Sequence, residues 1–216
     1  MSGVKLVWAT PKGEELIAYM ARVSNPNNQS NPETAPKLLK YLMKNKHWSP
    51  FEMVNVCMEI KCTRDIARQI LRHRSFSFQE FSQRYAEALD WEYGEVRLQD
   101  EKNRQNSLPT QDRELQRWWE EEQLKVMAQA RFSYGAALNQ GIAKEVARKV
   151  LPEGITMSTM YMNGTLRSWM HYVDIRCDEA TQKEHRVIAE QCRDVLAKEF
   201  PSLFNPAAVA WSERIM

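Results

Sequence analysis

Residues 69–85, QILRHRSFSFQEFSQRY, hold the densest polar cluster of the chain: Arg72, His73, Arg74, Gln79, Glu80, Ser82 and Arg84, interleaved with Phe76, Phe78 and Phe81. A guanidinium is a planar fork that matches phosphate and can also lie flat on a ring. A carboxylate and an amide can hold an imide or a ribose. Together these groups suit a phosphorylated, ring-bearing ligand. Ser82 is the obvious nucleophile to consider, and a serine needs an adjacent base. Glu80, two residues away, shares its face in an extended segment, but the surrounding arginines would occupy that carboxylate. Ser82 therefore reads as an orienting hydrogen-bond partner. On composition alone, an exposed basic turn over core phenylalanines accounts for the cluster equally well.

The elements that must position this segment follow from spacing. GVKLVWA (3–9) reads as a strand, 12–22 as a helix, and the Asn/Ser/Pro-rich 23–34 as a loop. Thr34 is placed to cap a helix over 35–46, with Leu38, Leu39, Leu42 and Met43 at helical spacing. Residues 52–62 alternate: Val54, Val56, Met58 and Ile60 on one face, Asn55, Glu59 and Lys61 on the other, as in a half-buried strand. Thr63 then caps a helix 64–72 whose Arg64, Arg68 and Arg72 form one basic stripe. Cations near a helix C-terminus also have the plain use of complementing its dipole. His73 and Arg74 fall beyond it in a loop.

Residues 98–112 lack periodicity and read as an exposed loop. A long helix over 113–139 carries Leu115, Trp119, Val126, Ala130, Tyr134 and Leu138 on one side, with Gly141 as its stop. A shorter helix over 142–150 ends before Pro152. Residues 155–162 are a strand or the approach to a helix at 164–174, and a last helix spans 178–199 before Pro201. Strands and helices do not alternate regularly. The expectation is an α+β fold: a helix-rich single domain over 1–216 with a small central, mostly antiparallel sheet.

Composition narrows the function. With 216 residues, 43% apolar and 27% charged, the chain reads as an ordinary globular protein. A net charge of +2 gives no global field for nucleic acid. Cys57, Cys62, Cys177 and Cys192 form no CxxC pair, so no metal is expected. No signal peptide or membrane-length apolar stretch is seen, and a reducing cytoplasmic setting with free thiols fits. Cys57 and Cys62 fall on opposite strand faces and read as core rather than catalytic, as does Cys177. His185 reads as exposed on a helix, His171 as a satisfied interface residue. The Trp118–Trp119 pair reads as packing, and Met157, Met160 and Met162 as core or subunit contact.

RHRSFSFQEFS, Arg-His-Arg, then seven residues, then Ser82, resembles the signature of the flavin-dependent thymidylate synthases. The extension QEFSQRY and the upstream Gln69 sharpen the likeness. HWSPFE (His47 to Glu52), EVARKVLP (Glu145 to Pro152) and GTLRSWMHYVDIRCDEATQ (Gly164 to Gln182) resemble further family segments in the same order, so the likeness spans roughly residues 15 to 195. It implies FAD contacts from Ser49, Arg72, His73, Arg74, Glu80, Thr165, Arg167 and His171. It implies dUMP contacts from Gln69, Glu80, Ser82, Gln83, Arg84, Arg148 and Arg176. Arg176 would be catalytic, favouring loss of the uracil N3 proton and so activating C5, as a cation beside a developing anion does. His47 would border the approach of folate or nicotinamide.

The implied reaction methylates dUMP to dTMP. It uses 5,10-methylenetetrahydrofolate as carbon donor and NADPH as reductant, in a homotetramer whose active sites are shared between subunits. The seven Trp and eleven Met suit large contact surfaces. Four positions depart from the family pattern: Gln79 for Asn, Met53 for His, Thr165 for Asn and Ala180 for His. Thr165 and Ala180 leave open a related pyrimidine hydroxymethylase. The Arg64/Arg68/Arg72 stripe beside phenylalanines leaves open a nucleotide-binding module without catalysis.

Overall fold

The computed structural model describes residues 1–87 and 90–204. The fold is α+β, helix-rich with a small antiparallel sheet. Its strands are β1 (Gly3–Ala9), β2 (Asn55–Thr63), β3 (Phe76–Glu80) and β6 (Met157–Thr165), in the order β1-β2-β6-β3. A separate antiparallel hairpin pairs β4 (Arg97–Gln99) with β5 (Ser107–Pro109). Two compact units emerge: Met1–Ser2, Lys61–Leu71 and Glu80–Met160 in the first, and Gly3–Ile60, Arg72–Gln79 and the chain from Tyr161 onward in the second.

The second unit holds the larger apolar core. Its helices are α1 (Gly13–Ala21), α2 (Ala35–Lys44), α6 (Leu166–Arg176), α7 (Lys183–Glu199) and α8 (Pro201–Phe204). Phe51, Met58, Trp169, Tyr172, Leu196 and Phe200 are fully buried within it. Even the polar atom of Trp169 is satisfied: its Nε1 donates to the Val56 carbonyl at 3.0 Å. β2 runs Val56, Cys57, Met58 as three buried residues in a row, so both its faces are covered. The alternation expected of a half-buried strand is lost there because Cys57 is small and apolar enough to sit inside.

The first unit is organised by α3 (Arg64–Ile70), α4 (Arg113–Asn139) and α5 (Lys144–Ala147). α4 matches its expected bounds and stops in a Schellman arrangement. Gly141 takes φ 76°, its N–H donates to Leu138 and the N–H of Ile142 donates to Ala137. Val126 proves to be exposed, and Gln123, Ala130 and Tyr134 make the buried stripe instead. The buried positions step by seven and then four, from 123 to 130 to 134, which leaves 126 off the centre of the stripe.

Several sequence expectations need correction. The helix after Thr63 ends at Ile70, so Arg72 leaves the stripe. The segment after Arg-His-Arg is strand β3 rather than loop. Residues 98–112 contain the β4–β5 hairpin, whose strands are only three residues long and too short to show a period. The helix expected at 142–150 breaks into α5 and a 3₁₀ turn, Arg148–Val150, and the last long helix starts at Lys183. The strand expected to begin at 52 is preceded by a 3₁₀ turn, Ser49–Met53. Thr34 and Thr63 stand at N-cap positions, but neither side chain caps. The Thr34 hydroxyl instead receives Arg22 Nη2 at 2.7 Å, which helps to satisfy a buried guanidinium. No helix among the described residues is long and apolar enough to cross a membrane.

Candidate functional site

In the first unit, α3 presents Arg64 and Arg68 one turn apart, so both reach the same partners. The Glu80 carboxylate receives Arg64 Nη1 at 3.5 Å, Arg68 Nη1 at 3.3 Å and the Ser158 hydroxyl at 2.8 Å. Glu153 faces the same two guanidiniums at 3.8 and 3.6 Å. Two backbone bonds fix the frame: Arg64 N–H to Thr156 O at 2.9 Å, and Phe81 N–H to Thr159 O at 2.8 Å. Past Phe81 the chain turns, and Ser82 and Gln83 line a cavity of about 510 Å³ with Glu80, Arg148 and Lys149.

Gln83 is 4% exposed, and its Nε2 has no acceptor among the described residues. A buried donor without a partner costs roughly 1–3 kcal/mol, which an acceptor on a bound ligand would recover. Arg84 Nε meets Glu145 at 3.1 Å, and Arg148 Nε donates to the Glu145 carbonyl at 3.3 Å. Lys144 Nζ donates to the Tyr85 carbonyl at 3.4 Å, which tethers the same turn to α5. The Ser82 hydroxyl accepts from the Arg84 N–H at 3.3 Å, and no hydrogen bond joins it to Glu80. With Glu80 engaged by two arginines and a serine, Ser82 has no base beside it.

In the second unit a cavity of about 430 Å³ is lined by Trp48, Glu52, Ser75, Arg167, Ser168 and His171. α6 supplies Arg167, Ser168 and His171 from one face, one turn apart. Thr165 is the N-cap of that helix, its hydroxyl accepting from the Ser168 N–H at 3.2 Å. Thr and Asn cap by the same oxygen-to-amide bond, so an Asn at position 165 would cap this helix in the same way. Arg167 forms an ion pair with Glu52, and the Ser168 hydroxyl donates to the Ser75 carbonyl at 3.2 Å. Gly164 is required beside this turn, since a Cβ there would overlap the Phe76 ring.

At the end of α6, Arg176 Nε donates to His73 Nε2 at 2.9 Å. Burial, then the charges of Arg176, His171 and Arg72, pull the His73 imidazole down to about 4. The cavity's hydroxyls, cations and indole face suit a phosphate-linked aromatic cofactor.

The structure brings the implied residues together in two groups. Glu80, Ser82, Gln83 and Arg148 line the first cavity, with Arg84 tied to the neighbouring α5. Gln69 lies half-buried in α3. Arg167 and His171 line the second cavity, Thr165 caps the helix that carries them, and Arg176 joins His73 in the same unit. Ser49, Arg72 and Arg74 are exposed.

The residue readings are settled in part. His185 is fully buried, with Nε2 3.2 Å from the Tyr172 hydroxyl, against the expectation of an exposed helix face. Single-helix periodicity could not reveal a neighbouring helix covering it. Cys57 and Cys62 are both buried, and burial pushes Cys62 up to about 12. Burial likewise pushes Cys177 up to about 11, which disfavours the thiolate that a nucleophile needs in both. Met157, Met160 and Met162 are core. Trp118 and Trp119 lie against each other with centroids 6.2 Å apart.

Residues missed from sequence are Lys149, Ser158 and Glu153 in the first unit, and Trp48, Glu52 and Ser75 in the second. Lys149 adjoins Arg148 and was available to a charge count; Ser158 lies 78 residues from Glu80 and carried no local signal.

Comparison with known proteins places the chain in a family. Residues 5–202 match the family described as Thymidylate synthase complementing protein. A "Probable flavin-dependent thymidylate synthase" of Paramecium bursaria Chlorella virus 1 is 53% identical over 191 residues, 88% of each chain. A "Flavin-dependent thymidylate synthase" of Synechocystis sp. is 52% identical over 198 residues, 92% of this chain and 90% of the relative. Among solved structures, a UMP/dUMP methylase, PolB from Streptomyces cacaoi, bound with 5-Br dUMP, superposes with a TM-score of 0.83 at 26% identity. It covers 94% of this chain and 93% of its own. The family match takes in both cavities, from Trp48 through Arg176, and the chain belongs to the thymidylate synthase complementing protein family.

Proposed function

We propose that this chain is a flavin-dependent thymidylate synthase. It converts dUMP, 5,10-methylenetetrahydrofolate, NADPH and a proton to dTMP, tetrahydrofolate and NADP⁺. The observation that carries the reading is the first cavity, where the buried Gln83 Nε2, without an acceptor among the described residues, sits beside Ser82, Arg148 and Lys149. Such a site suits a nucleotide: cations for a phosphate, amide and hydroxyl for a base or sugar. FAD, when bound and reduced by NADPH, supplies the hydride that completes the methyl group, so tetrahydrofolate is released without oxidation.

In this reading Arg84 and Arg148 hold the dUMP phosphate, and Gln69, Glu80, Ser82 and Gln83 orient the nucleotide. Arg176 stabilises the uracil anion left when N3 loses its proton. Ser49, Arg72, Arg74, Glu80, Thr165, Arg167 and His171 hold FAD. The chain acts as one catalytic domain in a cytoplasmic homotetramer, with no nucleic acid or membrane as partner. A non-catalytic oligonucleotide-binding module loses its main support, because Arg64 and Arg68 are paired with Glu80 and Glu153. The hydroxymethylase reading loses one of its two supports, since Thr165 performs the capping that an Asn would.

The test is dTMP formation with FAD, NADPH and the folate donor, product identity read by mass spectrometry, beside an Arg176→Ala chain. The variant is expected to keep bound flavin and its bleaching by NADPH while dUMP-dependent turnover drops by roughly 100-fold or more. Unchanged turnover refutes the role of Arg176, and a colourless parent that cannot be loaded with FAD refutes the whole reading.

A further inference from the structure

The Arg176–His73 contact has a chemical consequence. A guanidinium has only donors, so at 2.9 Å the His73 Nε2 must be the acceptor. The imidazole is therefore neutral, with its proton on Nδ1. Its depressed basicity, down to about 4, agrees.

The ring is also held mechanically. Tyr172 meets it edge-on at 5.0 Å and 80°, and Phe76 does so at 6.5 Å and 86°. Behind Tyr172 stands His185 on α7, fully buried, its Nε2 3.2 Å from the phenol oxygen and its ring 6.3 Å from that of His73. Tyr172 and Arg176 are one turn apart on α6, so helix and wall move as one piece. The Arg176 fork is gripped only at Nε; its two terminal amino groups make no hydrogen bond among the described residues.

We propose that His73 is a positioning residue: as the Nδ1–H tautomer, backed by Tyr172 and His185, it holds Arg176 by Nε and leaves the terminal NH₂ groups free for the pyrimidine. This deepens the proposed function and rests on it. A direct flavin contact by His73 is a different role, and the two give different variant behaviour.

His73→Gln places an amide oxygen near the former Nε2, whereas His73→Asn is too short to reach. The experiment compares both with the parent, each loaded with FAD, for flavin content, kcat and the KM for dUMP. His73→Asn is expected to keep flavin and lose roughly 100-fold in kcat, the usual cost of about 1 Å of misplacement. His73→Gln is expected to stay within roughly tenfold of the parent, and on an Arg176→Ala background the two should become equal. Equal losses in both single variants, or loss of flavin from both, overturn the proposal. ¹⁵N NMR of the folded parent gives a second readout independent of turnover: an Nδ1–H tautomer supports it, an Nε2–H tautomer or an imidazolium at neutral pH overturns it. A parent that makes no dTMP yet shows the Nδ1–H tautomer would sink the proposed function while leaving the His73–Arg176 geometry intact.

Discussion

At the scale of single residues, the chain divides its arginines into two kinds. Arg64 and Arg68 are paired with Glu80 and Glu153. Arg148 is backed by a backbone carbonyl and Arg176 by a histidine, so among the described residues each keeps its terminal fork for other uses. The buried histidines also set a pH response. From their ordinary value of 6.5, burial lowers His185 to about 3 and His73 to about 4, in both cases helped by Arg176. Below pH 6.5 the unfolded chain takes up protons that the folded chain refuses. Stability is therefore full above about 6.5, and it falls as pH drops toward the folded values, by on the order of a few kcal/mol. Urea midpoints measured at pH 7.5, 6.5 and 5.5 should fall in that order, and His185→Gln should flatten the slope. A midpoint that holds steady from 7.5 to 5.5 contradicts this account.

At the scale of elements, close approach explains one glycine where conformation does not. Gly164 lies in β6 with an ordinary backbone, yet a Cβ there would strike the Phe76 ring of β3. Phe76 is itself wedged edge-on against Trp169 at 4.9 Å and cannot retreat. Gly164→Ala should cost about 1–3 kcal/mol, read as a thermal midpoint lower by several degrees. Gly3→Ala, where nothing lies within 4 Å of the added carbon, is the control and should leave the midpoint in place.

At the scale of the whole molecule, α4 is the unusual feature. Twenty-seven residues long, it leaves Trp118, Leu124, Val126 and Phe132 exposed, Phe132 to 73%. Large apolar side chains displayed along one helix are what an assembly surface provides. If the proposed tetramer uses this helix, Phe132→Glu should lower the mass seen by light scattering, because a charge would be forced into a buried contact. A parent already monomeric at micromolar concentration would remove the proposal, and a variant that stays tetrameric would move the interface elsewhere.

By itself the sequence determined what local physics controls: the bounds of β1 and α4, the stop at Gly141, the break at Pro201, and the Arg-His-Arg segment with its serine. These depend on period, on proline and glycine backbone limits, and on neighbours a few residues apart. Only the tertiary structure decided the pairings: Glu80 with Ser158, Arg176 with His73 across 103 residues, and the burial of His185. A hydrogen bond or a covered face depends on which distant segment arrives beside it, and no local pattern encodes that arrival.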